Sequence, residues 1–514
     1  MTNVASNPDP RTTDPRTTDS RTVNPWAALS ALCVGFFLIM MDTTIVTIAI
    51  PGMIEGLDAD LNQITWVHSV YLLTYAVPLL VAGRLGDRFG RKPVFMAGMA
   101  VFTAASLWCG LSGSAEMLMA ARAVQGVGAA LMAPQTMAFV TTLFPPQRRG
   151  AALGVWGAVA GLATTAGPLL GGFLTGSAGW EWIFLVNVPI GLVGLAMAAR
   201  LLPGGQPRNH RRFDLLGTLL SGLGLFAVVF GLQNGQHYAW GTVVGPLDVA
   251  TVIAAGVVLL GVFLLWQRFN PREPLMPLSL FGRRHFATSA FAAAAIGFAV
   301  TGLYLPLTLF MQDVMELTPQ EAGLLMVPIA VSSGLAGPLA GSLSDRVPGK
   351  WVVLGGFLVF AAGLGLIVLA MDAHAGVLPT AGALFLAGIG TGLAFAPMAN
   401  VATGSLPVEV IGAGAGMYNA IRQVGCVIGA AAVGVLMQAQ IVEFPDDLGR
   451  AAATTLLLPV AALLVGAAAC LLMPSGGAQK EKAQTAPDPA QTAPDRNSRE
   501  TSGNSLNSDL EKVG

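Results

Sequence analysis

The chain has 514 residues, of which 54% are hydrophobic and only 11% charged, against roughly 25% charged in an ordinary soluble domain. That balance excludes a water-soluble globular protein and predicts a polytopic, all-α membrane protein with the lipid bilayer as its principal partner. A net charge of −1 leaves no concentrated basic surface for phosphates, so no nucleic-acid partner is expected.

The first 24 residues repeat Asp9-Pro-Arg-Thr-Thr13 as Asp14-Pro-Arg-Thr-Thr18. Such a polar, Pro-rich stretch cannot bury enough apolar surface to order itself, and a disordered cytoplasmic tail is expected at 1–24. It precedes the first apolar run, so no cleavable signal peptide is read here. About 20 apolar residues cross a bilayer as a helix. Six such segments follow near 26–50, 65–83, 93–112, 116–142, 150–173 and 182–202, forming an N-terminal bundle over 25–202. Two more, near 213–233 and 246–266, form an insert over 203–285 with cytoplasmic linkers. Another six, near 286–311, 321–343, 351–371, 379–402, 412–438 and 453–473, form a C-terminal bundle over 286–474, and 475–514 is a second polar tail. The expected architecture is fourteen transmembrane helices arranged 6 + 2 + 6.

With a cytoplasmic N-terminus, 24 of the 27 basic residues fall on the inner side. The positive-inside rule therefore sets the orientation and requires an even number of spans, placing both termini in the cytoplasm. Arg exceeds Lys and Ala and Gly abound, a usage that suits a high-GC bacterial gene and hence a bacterial cytoplasmic membrane. Cys33, Cys109, Cys426 and Cys470 lie in apolar segments without metal-type spacing and read as packing residues. The five histidines, His68, His210, His237, His285 and His374, read as scattered at span ends or loops, so neither metal nor cofactor is expected.

Three charges interrupt the spans: Asp42, Arg122 and Arg422. A charge at mid-bilayer costs on the order of 3 kcal/mol even on lenient scales, so its default reading is functional. The neighbours of Asp42 on its own helix cannot stabilise a carboxylate. A change of partner would therefore load or release a proton, which makes Asp42 the proposed proton-coupling acid; the alternative is a permanently paired structural carboxylate. Arg122 keeps its proton, so it would tune that acid with Gln125 beside it, or tie helices together. Arg422 shares a polar stripe with Tyr418, Asn419 and Cys426 and either lines a cavity or packs helices.

The stretch from Phe144 to Ala158 reappears from Leu406 to Ala420, and Gly83-Arg-Leu-Gly-Asp87-Arg88 is echoed by Gly341-Ser-Leu-Ser-Asp345-Arg346. Two duplicated six-span halves place a substrate path between them near the midplane. No P-loop is present, so ATP is not the direct energy source, and no paired catalytic carboxylates suggest an enzyme.

Gly83-Arg-Leu-Gly-Asp-Arg-Phe-Gly-Arg-Lys92 resembles the signature loop of the major facilitator superfamily. Leu118 to Gly126 resembles its fourth-span arginine motif, and Gly154 through Gly167-Pro168-Leu-Leu-Gly171-Gly172 its fifth-span antiporter motif. Met41-Asp42 through Pro51, Tyr304 through Pro328 and Gly412 through Gly429 resemble motifs of the fourteen-span drug:proton antiporters. The resemblance implies a proton-coupled exporter of a hydrophobic drug or antibiotic, and, since one chain contains both halves, a monomer is expected to suffice. Gly83, Asp87, Arg88, Gly90 and Arg91 would form a conformational latch, and Gln125, Tyr304, Asn419 and Arg422 are the cavity candidates. By themselves the glycines of the fifth span require only close packing and a kink. A facilitator of another solute, such as a sugar, peptide or anion, and a non-transport scaffold are the alternatives.

Overall fold

The computed structural model describes residues 24–204, 214–245, 247–270, 275–276, 278–404, 406 and 411–473. The tails expected at 1–24 and 475–514 lie outside these, apart from Asn24, as do 205–213 and 271–274 of the insert's linkers.

The helices of the first half are α1 (Pro25–Ile48), α2 (Ile50–Leu57), α3 (Leu61–Ala76), α4 (Leu79–Phe89), α5 (Arg91–Gly110), α6 (Ala115–Leu143), α7 (Pro146–Ala178), α8 (Trp182–Leu185) and α9 (Asn187–Leu201). The insert supplies α10 (Leu215–Gln233) and α11 (Val249–Phe269). The second half contains α12 (Arg284–Leu309), α13 (Pro319–Leu325), α14 (Val327–Arg346), α15 (Gly349–Asp372), α16 (Val377–Gly404), α17 (Ile411–Glu443) and α18 (Leu448–Leu471). Polar caps fix several starts: Asn24 accepts from Trp26 N, Ser114 from Met117 N, and Asp60 forms a capping box with Gln63.

Two departures from regular helix have local causes. Pro78 lacks an N–H, and the second crossing breaks there into α3 and α4, bent by 49°. Pro306 lies near the end of α12, which runs into a π turn at Phe310–Val314. The sequence reading also missed a small hairpin between α10 and α11, with β1 (Thr242–Val244) paired antiparallel to β2 (Leu247–Asp248).

Twelve helices among the described residues are long and apolar enough to cross a bilayer, or thirteen if the bent pair is one span. The remaining expected span, 150–173, falls within α7, whose side chains are only partly described. Large apolar side chains point outward along these helices, including Leu162, Phe173, Leu335 and Phe269, each more than 60% exposed. Such a surface would aggregate in water and is the ordinary one in lipid, where every backbone group is satisfied within its helix.

The two halves pack by one scheme. In the first, α1 lies on α7, α6 on α3 and α5, and α9 on α5 and α1. The second repeats this with α12 on α17, α16 on α14 and α15, and α18 on α15 and α12. The halves meet where α7 packs on α13 and α14 and where α17 packs on α3. The halves are also bridged at one end of the bundle. Gln312 Nε2 donates to Ile48 O at 2.9 Å there, and Gln438 Nε2 to Asn62 Oδ1 at 3.4 Å. The insert is a hairpin of helices that leans on α17 and α3 through α10, with Asn234 accepting from Asn62 and from Trp66.

Candidate functional site

Asp42 sits on α1 with no solvent exposure, and Arg122 on α6 is equally buried. The sequence marked both charges but not their pairing. Arg122 Nη1 lies 2.5 Å from Asp42 Oδ2, donates to Gln125 Oε1 at 2.7 Å, and its Nε donates to Val67 O at 3.4 Å. The other carboxylate oxygen, Oδ1, accepts from Gln125 Nε2 at 2.8 Å and from Asn187 Nδ2 at 3.2 Å. Gln125 is itself held by a bond to Ser106 Oγ at 2.8 Å. Four helices of the first half, α1, α5, α6 and α9, thus converge on one carboxylate.

Aromatic rings complete the enclosure. The Arg122 guanidinium stacks over Tyr71 of α3 at 4.0 Å and lies 5.6 Å from the Phe184 ring, contacts that favour a desolvated cation. A buried ion pair is held only when its lone pairs and protons find partners, and here most do. Arg122 Nη2 and Asn187 Oδ1 have none among the described residues. The first is a spare donor and the second a spare acceptor beside the ion pair.

Asn187, Ser106 and Phe184 were not foreseen, although Asn187 is a lone amide inside an apolar span and could have been flagged. His68 requires a correction. It is not at a span end but in the middle of α3, within electrostatic reach of Arg122, with its Nδ1 buried and unbonded.

The cavity candidates separate. Gln125 belongs to the carboxylate network rather than to a cleft. Tyr304 lines a narrow gap between the halves, with Thr47, Thr65, His68 and Thr301 among its neighbours. Arg422 is half-buried on α17 and faces Tyr75 of α3 across the seam, with Asn419 on the preceding turn. The structure therefore does not join the three stranded charges in one cluster: Asp42 and Arg122 pair within the first half, and Arg422 stands apart.

In the signature loop, Gly90 ends α4 and begins α5 with φ +97°, a conformation that favours glycine. Gly83 faces Pro134 of α6. Asp87 pairs with Arg91 at 3.7 Å, Arg91 donates to Ala138 O at 2.9 Å, and Lys92 donates to Ala199 O and Leu202 O. Arg88 lies over the Phe89 ring. These charges tie α4 to α5, and α5 to α6 and α9. Asp345 and Arg346, their counterparts, have side chains outside the described residues.

The fifth-span glycines have two different partners. Gly167 and Gly171 bring α7 against Thr44 and Ile45 of α1, just beyond Asp42. Gly172 and Pro168 meet Pro319 and Gly323 of α13, across the seam between halves; a methyl group on Gly323 would stand 2.6 Å from Pro168 O. The packing at Gly154 lies outside the described residues.

The sequence profile described as Major Facilitator Superfamily matches residues 32–430. An uncharacterized MFS-type transporter of Mycobacterium tuberculosis is 44% identical over 81% of this chain and 71% of its own length. The tetracenomycin C resistance and export protein of Streptomyces glaucescens is 33% identical over 83% and 79%. The methylenomycin A resistance protein of Streptomyces coelicolor is 34% identical over 80% and 85%. Among solved structures, a D-xylose-proton symporter superposes with a TM-score of 0.63 at 13% identity, covering 88% of this chain and 98% of its own, a likeness of fold alone.

Proposed function

Because the chain belongs to the Major Facilitator Superfamily and is a multi-pass protein of the bacterial cytoplasmic membrane, we propose that it is a proton-coupled exporter of hydrophobic drugs or antibiotics. The observation that carries this reading is the Asp42 carboxylate, buried completely and held by one cation and two amides. Relatives named for antibiotic export or resistance support the substrate class.

In this reading the ion pair is the resting, unprotonated form. Protonation of Asp42 cancels its attraction to Arg122, and the guanidinium must then find other acceptors, of which Val67 O on α3 is already one. Loading a proton therefore changes the force between α1, α3 and α6. Release toward the cytoplasm restores the pair. The end of the bundle carrying Ile48, Asn62 and Gln312 is the outer one by the distribution of basic residues, so this state is closed to the outside and loads substrate from within. Asp87, Arg88 and Arg91, with Gly83 and Gly90 permitting the turn, act as the inner latch, and Pro168 with Gly172 forms a pivot against α13. We assign fourteen spans with both termini in the cytoplasm and a monomeric unit, since one chain supplies both halves.

Everted vesicles test the reading. Substrate addition to vesicles holding an acidic lumen should release protons, and Asp42→Asn should lower that coupled flux by at least tenfold, while the protein remains in the membrane. Full proton-driven export by the variant would remove Asp42 from the mechanism.

A further inference from the structure

Asp42 and Arg122 neutralise each other, which leaves Arg422 as the charge without a counter-ion among the three that interrupt the spans. Among the described residues no carboxylate forms an ion pair with it. The helices packed on α17 are α3, α4, α6, α10, α12, α16 and α18, and of these α3, α10, α12, α16 and α18 contain no Asp or Glu. Asp87 on α4 is paired with Arg91, and Glu116 begins α6 bonded to Gln63. Glu443 of α17 itself is about 31 Å along the helix from Arg422. Tyr75, Tyr418 and Cys426 lie within electrostatic reach of Arg422.

A second feature makes this a site rather than a stray charge. Tyr418, one turn before Arg422, is only 5% exposed and its Oη has no hydrogen-bond partner. A buried hydroxyl and an arginine side by side are two unused donors on one helix face. Guanidinium pairs best with a planar oxyanion, and an unpaired arginine at membrane depth is costly unless a ligand or cavity water meets it. Tyr75 belongs to the other half and adds an aromatic wall, so an occupant would touch both halves at once.

Resting on the exporter reading above, we propose that Arg422 is the docking point for a carboxylate or ionised hydroxyl on an aromatic, otherwise apolar substrate, with Tyr418 Oη as the second donor. The transported molecules are then organic anions rather than lipophilic cations, because the Asp42–Arg122 pair is neutral and Arg422 brings a positive charge to the contact of α17 with α3.

The experiment uses the full chain purified in detergent, with two dyes of similar ring size: anionic fluorescein and a cationic rhodamine. Fluorescence polarisation should give the parent a clear preference for fluorescein. Arg422→Gln should weaken fluorescein binding about tenfold or more with little effect on rhodamine, and Arg422→Lys should fall between, keeping the charge but losing the fork. Tyr418→Phe should weaken the anion alone by a few fold. A parent that prefers rhodamine or binds neither dye, or an Arg422→Gln protein that holds fluorescein as tightly as the parent, overturns the proposal. Accumulation of fluorescein in energised everted vesicles is measured in parallel. Arg422-dependent binding without proton-driven accumulation would leave the anchor standing and overturn the exporter reading instead.

Discussion

At Asp42 the local chemistry is a competition between desolvation and pairing. A carboxylate with no solvent exposure survives in apolar surroundings because Arg122, Gln125 and Asn187 supply what water would. Removing one charge and leaving the other is the damaging change. Asp42→Leu should lower stability by about 3–5 kcal/mol, since Arg122 is then buried alone, whereas Asp42→Leu with Arg122→Leu should recover most of that loss and still transport nothing. Thermal unfolding of the single and double variants in detergent checks the order; a double variant less stable than the single would refute it. The sequence made both charges visible, as ionisable residues in apolar runs. Their union was hidden because 80 residues separate them, and only tertiary packing decides which faces of α1 and α6 meet. His68 was misplaced for a related reason: the apolar run begins some residues after α3 does, and the span boundary was drawn too close to it.

Single elements carry a different kind of information. The fifth-span glycines are legible as a small-residue face, but a face does not name its partner. Here one side serves α1 and the other serves α13. The insert was legible as two apolar spans, yet what joins them was not. Asp214 caps α10 by accepting from Gly217 N at 2.9 Å and also takes hydrogen bonds from Trp266 and Gln267 of α11, at 2.9 and 2.7 Å. Burial alone would raise its pKa; these donors outweigh burial and hold the carboxyl below the usual carboxylate range. Its stabilising contribution is therefore full above the unfolded value and is lost as pH falls through the lower, folded one. Acid should loosen α10 from α11 and change the Trp266 emission, with Asp214→Asn lacking that acid-dependent component. Loss of the cap in Asp214→Ala should cost about 1 kcal/mol. An identical acid response in parent and Asp214→Asn would discard the clasp.

Across the whole molecule, the duplicated motifs have a counterpart in the helix packing. The two halves use the same set of helix pairings even though the second copy of the signature loop has lost its flanking Gly-Arg, because packing follows helix faces more than loop identity. Span number is decided less directly, since length and hydropathy judge each helix alone. Fourteen spans predict fluorescence from a green fluorescent protein fused at either end and no activity from alkaline phosphatase fused there. An active C-terminal phosphatase would demand an odd number.

One helix has a consequence beyond its role in the seam. On α3, Val67 O and the Tyr71 ring hold Arg122, while Tyr75, a single turn further, faces Arg422; the two tyrosine rings are 6.2 Å apart. The charge of one half and the charge of the other are thus read by neighbouring teeth of the same rack. A rotation of α3 by a fraction of a turn that releases one must reposition the other. In the exporter proposed above, proton and cargo would need no long relay between them, for a helix only four turns in length would keep both in step.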